Sequence, residues 1–269
     1  MATERVLFIT KARNLKYYTT PLSRIYFGNE FCQRLIPSSQ EVDQVMDFAH
    51  EHEISFSLVT PYVTNEGLEQ WRSVIEHVAA RNPGSEVIFN DWGVFRIIRD
   101  SVQGLQPVLG RLMTKIKRGP RLMKVIDKLP PDALKHLQST NLDVEAYRSF
   151  LVHQGITRAE LDYPLQDIKT DRISSSIHLS LYIPFVYVTT TRFCLSASCD
   201  VPEKKGMVGI FPCKKECQKY TFTLDNPVMD TSLIRKGNTI FYRNTKIPQS
   251  EELKEKKIDR VVIQPEIPI

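Results

Sequence analysis

No apolar run in the sequence is long enough to cross a bilayer as a helix. The longest, LSLYIPFVYV at 179–188, spans ten residues and carries Pro184 in its middle, whereas a helical span needs about 20, so no membrane span is expected. The amino-terminal stretch MATERVLFITKARN holds one short apolar run flanked by charges and lacks the cleavable apolar region of a secretory signal. A cytoplasmic protein is the expectation. Also missing are the HExxH and HxxEH helices of zinc peptidases, the GxSxG elbow of serine hydrolases and the phosphate-binding GxxxxGK[ST] loop. A conventional hydrolase or nucleotide enzyme is therefore unsupported, and the two histidines of HEHE at 50–53 do not share a helical face. There is no internal repeat and no low-complexity segment. Neither sign of charge dominates: the net charge of +5 on 269 residues permits an anionic partner without specifying nucleic acid or membrane. Cysteine is scarce, yet four of the five lie between residues 194 and 217.

What is present is an alternation of apolar runs and amphipathic stretches. RVLFITK (5–11) reads as a strand. Ser38 or Ser39 caps a helix through SSQEVDQVMDFAHEHE, with Val42, Val45, Met46 and Ala49 on one face. ISFSLVTPYV (54–63) and SEVIFND (85–91) read as strands on either side of the helix NEGLEQWRSVIEHVAARN, and WGVFRIIRDS as a short helix before the strand LQPVLGRL (105–112). Residues 113–142 form an excursion with a basic run and a proline pair. The rhythm resumes with the helix at 143–155, the strand at 158–165 and β-rich sequence to 194. KYTFTLDNPV, NTIFYRNT and IDRVVIQPEI follow as strands, with SEELKEKK as a short helix.

This β-α punctuation predicts an α/β protein: a single (β/α) TIM-barrel-like domain, whole or with a unit missing, and a cysteine-rich loop at the carboxyl-terminal face where such barrels keep their sites. The expected organisation is a barrel with its cysteine loops over 1–220 and a β-rich extension over 221–269 that completes the same domain.

Clustered cysteines in a reducing compartment point to metal ligation more than to disulfides. Cys194 and Cys199 are separated by four residues, Cys213 and Cys217 by three, and Cys32 lies far upstream in GNEFCQRLIP. Soft thiolates suit zinc or an iron–sulfur cluster, and these spacings are wider than the C-x₂-C knuckle usual for zinc. Plain buried thiols are the third reading.

Several phrases resemble one family. FGNEFCQRL after the first strand, SLVTPYVTNEGLEQW, EVIFNDWGV, AELDYP and TRFCLSASC followed by CKKEC are similar to the collagenase-like U32 peptidase superfamily. Within it the nearest resemblance is to the UbiU/UbiV-type proteins of oxygen-independent ubiquinone biosynthesis, and it runs over most of residues 5–220. The resemblance implies a 4Fe-4S cluster held by Cys32, Cys194, Cys213 and Cys217, with Cys194 preferred over the extra Cys199 because TRF precedes it. It implies a second U32-family, UbiU-like subunit as partner, a small aromatic or quinone substrate, and a role as a component of an oxygen-independent hydroxylase. The phrase LGRLMTKIKRGPR has no clear counterpart in the UbiV pattern, which leaves room for a sister group. With a cysteine on every iron, the cluster would transfer electrons or hold loops together, since no iron is open for Lewis-acid chemistry. The rival readings are RNA base hydroxylation and a non-catalytic scaffold that carries a cluster for a partner enzyme; proteolysis lacks a nucleophile or metal triad.

Other polar groups sit at strand ends. Asn90 and Asp91 close a buried-looking run, and Glu160 and Asp162 alternate on one strand, positions from which barrel residues orient substrate or act as acid and base, or else cap helices or face solvent. Asp91 is the foremost catalytic candidate. His178, one residue into an apolar strand, faces the interior as a ligand or is a satisfied core histidine. Lys115, Lys117, Arg118, Arg121 and Lys124 form a run suited to phosphate or carboxylate, or simply to solvent; without interleaved aromatics it says little for single-stranded RNA.

Overall fold

Val6 and Phe8 point to one side of the first strand and Leu7 and Ile9 to the other, and all four are buried. A strand apolar on both faces must lie between two packed layers, as in a parallel barrel wrapped by helices. The computed structural model describes residues 3–100, 103–204 and 211–269. Eight parallel strands close a barrel: β1 (Glu4–Ile9), β2 (Arg24–Gly28), β3 (Ser55–Val59), β4 (Glu86–Phe89), β5 (Gln106–Leu109), β6 (Arg158–Asp162), β7 (His178–Ile183) and β12 (Ile258–Ile263), the last lying between β7 and β1. Between β7 and β12 the chain builds a four-stranded antiparallel sheet from β8 (Phe185–Thr190), β9 (Phe222–Leu224), β10 (Leu233–Lys236) and β11 (Thr239–Arg243), in the order β8-β11-β10-β9.

The helices are α1 (Ser39–Glu51), α2 (Asn65–Arg81), α3 (Trp92–Asp100), α4 (Pro131–Leu137), α5 (Glu145–His153) and α6 (Ser250–Glu255). Ser38 is the N-cap of α1 in a full capping box with Glu41, and the four apolar residues expected on one face are buried. No helix among the described residues is long and apolar enough to cross a membrane. Two strands absent from the sequence reading appear: β2, with the short sequence RIYFG, and β10. Because β2 exists, Cys32 follows the second barrel strand rather than the first, and no barrel strand is missing. The sequence on either side of residue 220 is interlocked, since β8 pairs with β11 and β12 closes the barrel.

The barrel interior is layered. Arg260, Glu4, Glu86 and Arg24 form ion pairs at the amino-terminal mouth, with Arg260 Nε 2.6 Å from Glu4 and Nη1 2.7 Å from Glu86. Val6, Phe8, Tyr26, Val59, Ile88, Val108, Tyr182 and Val262 fill the middle. Glu160 is fully buried; its Oε1 accepts from Tyr26 Oη at 3.1 Å while Oε2 has no partner. Burial pushes its carboxyl up to about 7 against the pull of Arg260 and Arg158. The unfolded carboxyl titrates near ~4.3, so the native state holds the proton more tightly. Its stabilising contribution is therefore fully present below ~4.3 and lost as pH rises through about 7. Relative to Glu160→Gln, the unaltered protein is expected to lose stability as pH rises from about 4.3 to about 7 in urea titrations, with no further loss above that; parallel pH profiles for the two proteins would refute this.

Candidate functional site

At the carboxyl-terminal mouth, where barrels of this type open their sites, charge and aromatic rings fill the axis. Arg111, just after β5, is fully buried; it reaches Glu30 at 2.6 Å and Asp162 at 2.8 Å and donates to the Phe185 carbonyl at 3.0 Å. Arg118 takes the other oxygen of Asp162 at 2.6 Å. The Arg111 guanidinium lies 4.3 Å from the Tyr182 ring centre, and that of Arg118 lies 4.2 Å from Tyr187. The antiparallel sheet then covers this plug with Phe185, Tyr187 and Phe241, packed on Phe31.

Beside the plug lies a cavity of about 390 Å³, and Cys32, Cys194, Cys213 and Cys217 all line it. Cys32 is set by the turn after β2. Gly28 there has φ +136° and a Cβ would lie 2.1 Å from the Val59 carbonyl oxygen, so only glycine fits. Asn29 Oδ1 accepts from Phe31 N–H at 3.0 Å and Cys32 N–H at 2.8 Å, and Glu30 is anchored on Arg111. Cys194 follows β8. Asn238 joins the two segments: its Nδ2 donates to the Phe31 carbonyl at 2.6 Å, to Tyr62 Oη at 3.0 Å and to the Thr191 carbonyl at 2.9 Å.

Cys213 and Cys217 bracket a turn in which Lys215 has φ 59°. Glu216, buried within that turn, accepts from Ser198 N–H at 2.8 Å and Lys214 N–H at 3.0 Å, tying it to the loop that carries Cys194. Lys215 N–H also points at Cys213 Sγ, 3.4 Å away. Burial pushes the Cys32 thiol up to about 11, with a further push from the other three thiols, and burial raises Cys194 and Cys217 as well. Without a cation these groups stay protonated; a metal centre would supply the charge that ionises them.

Cys199 is exposed and does not line the cavity. Among the described residues no three His, Cys, Asp or Glu side chains converge so as to hold a single metal ion. The remaining walls are largely apolar and include Phe31, Leu35, Phe211 and Ile269. A thiol-rich, mostly apolar cavity wider than one ion suits a polynuclear iron–sulfur group.

The other candidates are placed elsewhere. Asp91 leads into α3: Oδ1 accepts from Gly93 N–H at 2.7 Å and Oδ2 from Val63 N–H at 3.3 Å, so both oxygens serve backbone donors. Asn90 bridges the Thr60 carbonyl and Leu112 N–H. Glu160 and Asp162 both face the barrel interior, Asp162 within the plug. His178 is neither interior nor core: at the first position of β7 it is exposed and pairs with Asp259 at 2.6 Å. The basic run is broken up, with Arg118 buried in the plug and Lys124 paired to Asp230. Sequence reasoning missed Glu30, Arg111 and Asn238: Arg111 and Asn238 lie near the cysteine segments in space only, and Glu30, two residues before Cys32, carries no signal until Arg111 is seen to face it.

No family model matches the sequence, and no curated protein matches it. Among solved structures, the U32 peptidase Mk0906 is similar in fold at 12% identity, over 98% of this chain and 93% of that one, with a TM-score of 0.47. A glycoside hydrolase family 18 N-acetylglucosaminidase from Paenibacillus barengoltzii is similar at 8% identity, over 97% and 94% of the chains, with a TM-score of 0.37. A chitinase from Trichuris suis, also at 8%, covers 97% and 91% with a TM-score of 0.39.

Proposed function

We propose that Cys32, Cys194, Cys213 and Cys217 hold a 4Fe-4S cluster in a U32-type, UbiV-like protein that acts in oxygen-independent hydroxylation of a small aromatic or quinone precursor, together with a second U32-family, UbiU-like subunit. The observation that carries the cluster is that four of the five cysteines, drawn from three separate segments, line one cavity while Cys199 stays outside it. The hydroxylation reading rests on the sequence resemblance. When bound, the cluster supplies one-electron chemistry.

The chain's own residues do the holding. Asn29 and Glu30 fix the Cys32 turn, Asn238 clamps that turn to the segment before Cys194, and Glu216 docks the Cys213–Cys217 turn on the same loop. Phe31, Phe211 and Ile269 limit water at the sulfurs, which protects a cluster from hydrolysis and oxidation. Protein purified without oxygen is expected to be brown and to carry about four irons and matching sulfide per chain. Stoichiometric zinc without sulfide would overturn the assignment.

A further inference from the structure

The cysteine cavity opens on cations that form no ion pair among the described residues, and only Lys214 has a carboxylate close by, the buried Glu216 of its own turn. Arg34 and Arg192 line it, and Lys214, Lys215 and Lys219 sit on the turn that bears Cys213 and Cys217. All five are exposed, and none forms an ion pair among the described residues. Between Arg192 and Lys219 the sequence has six basic residues against three acidic. Of the three acids, Glu216 is buried on backbone donors, while Asp200 and Glu203 lie beside Cys199, outside the cavity lining. Among these charges stand bare apolar side chains: Phe193 is 52% and Leu195 41% exposed, one on each side of Cys194 in the chain.

We propose that this face docks a small acidic electron-carrier protein, which delivers electrons to the cluster. The inference deepens the cluster reading and rests on it. Electron-transfer encounters use small interfaces, with complementary charge steering the approach and a few apolar contacts setting the distance. Phe193 and Leu195 flank a ligand cysteine, so a partner seated on them comes close to its sulfur. The plugged barrel mouth offers no second approach along the axis. In the step itself, one electron leaves the carrier's reduced iron–sulfur centre and takes the four-iron cluster from its 2+ to its 1+ state; no bond forms or breaks and no proton is needed. A nucleic acid would want a longer basic track, and the neighbouring basic run does not extend this one, since Arg118 is buried and Lys124 is paired to Asp230.

The test is calorimetric titration of the anaerobically purified, full-length protein with an oxidised acidic ferredoxin at low ionic strength, followed by stopped-flow reduction with the same ferredoxin reduced. Lys214→Glu/Lys219→Glu is expected to weaken binding about tenfold and slow reduction similarly, with iron and sulfide content unchanged. Raising salt should weaken the unaltered protein in the same direction. Absence of binding at low salt, binding indifferent to both the variant and salt, or tighter binding of a single-stranded RNA lost in the same variant would each overturn the proposal. Iron and sulfide assays on the same preparation judge the cluster separately, because titration with the oxidised carrier reads docking whether or not the cluster is present.

Discussion

Cys213→Ala and Cys217→Ala are each expected to lose most of their bound iron, while Cys199→Ala keeps the unaltered protein's content. The contrast follows from position: both cysteines of the turn line the cavity, and Cys199 is exposed and outside its lining. Removing one thiolate from a fully ligated cluster opens an iron to solvent, and loss to oxidation follows. Cys32→Ala and Cys194→Ala belong in the same series and should behave like the turn variants. Iron and sulfide assays with visible spectra on anaerobic samples provide the readout. Full iron in both turn variants would remove them from the ligand set, and loss in Cys199→Ala would bring that thiol into it.

Arg111→Met is expected to cost about 3–5 kcal/mol of stability, because it leaves Glu30 and Asp162 buried with their principal counter-charge gone. Arg118 still reaches Asp162, but no other ion pair is available to Glu30 among the described residues. The loss should appear as a lower urea midpoint with little change in slope. Pairing the change with Glu30→Gln should recover part of the stability, since the orphaned charge is then removed. A change below about 1 kcal/mol in the single variant would show that the plug is wetter than its burial indicates. Glu30 stands two residues before Cys32, so Arg111→Met is also expected to lower iron retention, which links the barrel axis to the cysteine cavity.

Much of the barrel was legible because parallel strands buried on both faces leave unbroken apolar runs, as in β1 and β4, and because α1 and α2 carry caps and a periodic apolar face. The strand β2 was not, since RIYFG is five residues long and its pairing with β1 and β3, not any local pattern, makes it a strand. His178 failed for a related reason: the apolar run it begins was readable, but exposure at the first position of β7 depends on where the barrel ends. By itself the sequence determined that the chain alternates strands and helices and that its cysteines cluster, because both are written in local composition and spacing. Only the tertiary structure decided which cysteines meet. Cys32 is brought to Cys194 and Cys217 by the parallel return of β2 beside β1, and Cys199 is left outside by a turn of the same loop that places Cys194 within. Only the tertiary structure, too, drew Arg111 between Glu30 and Asp162, because side chains 81 and 51 residues apart in sequence share a barrel mouth through strand closure alone.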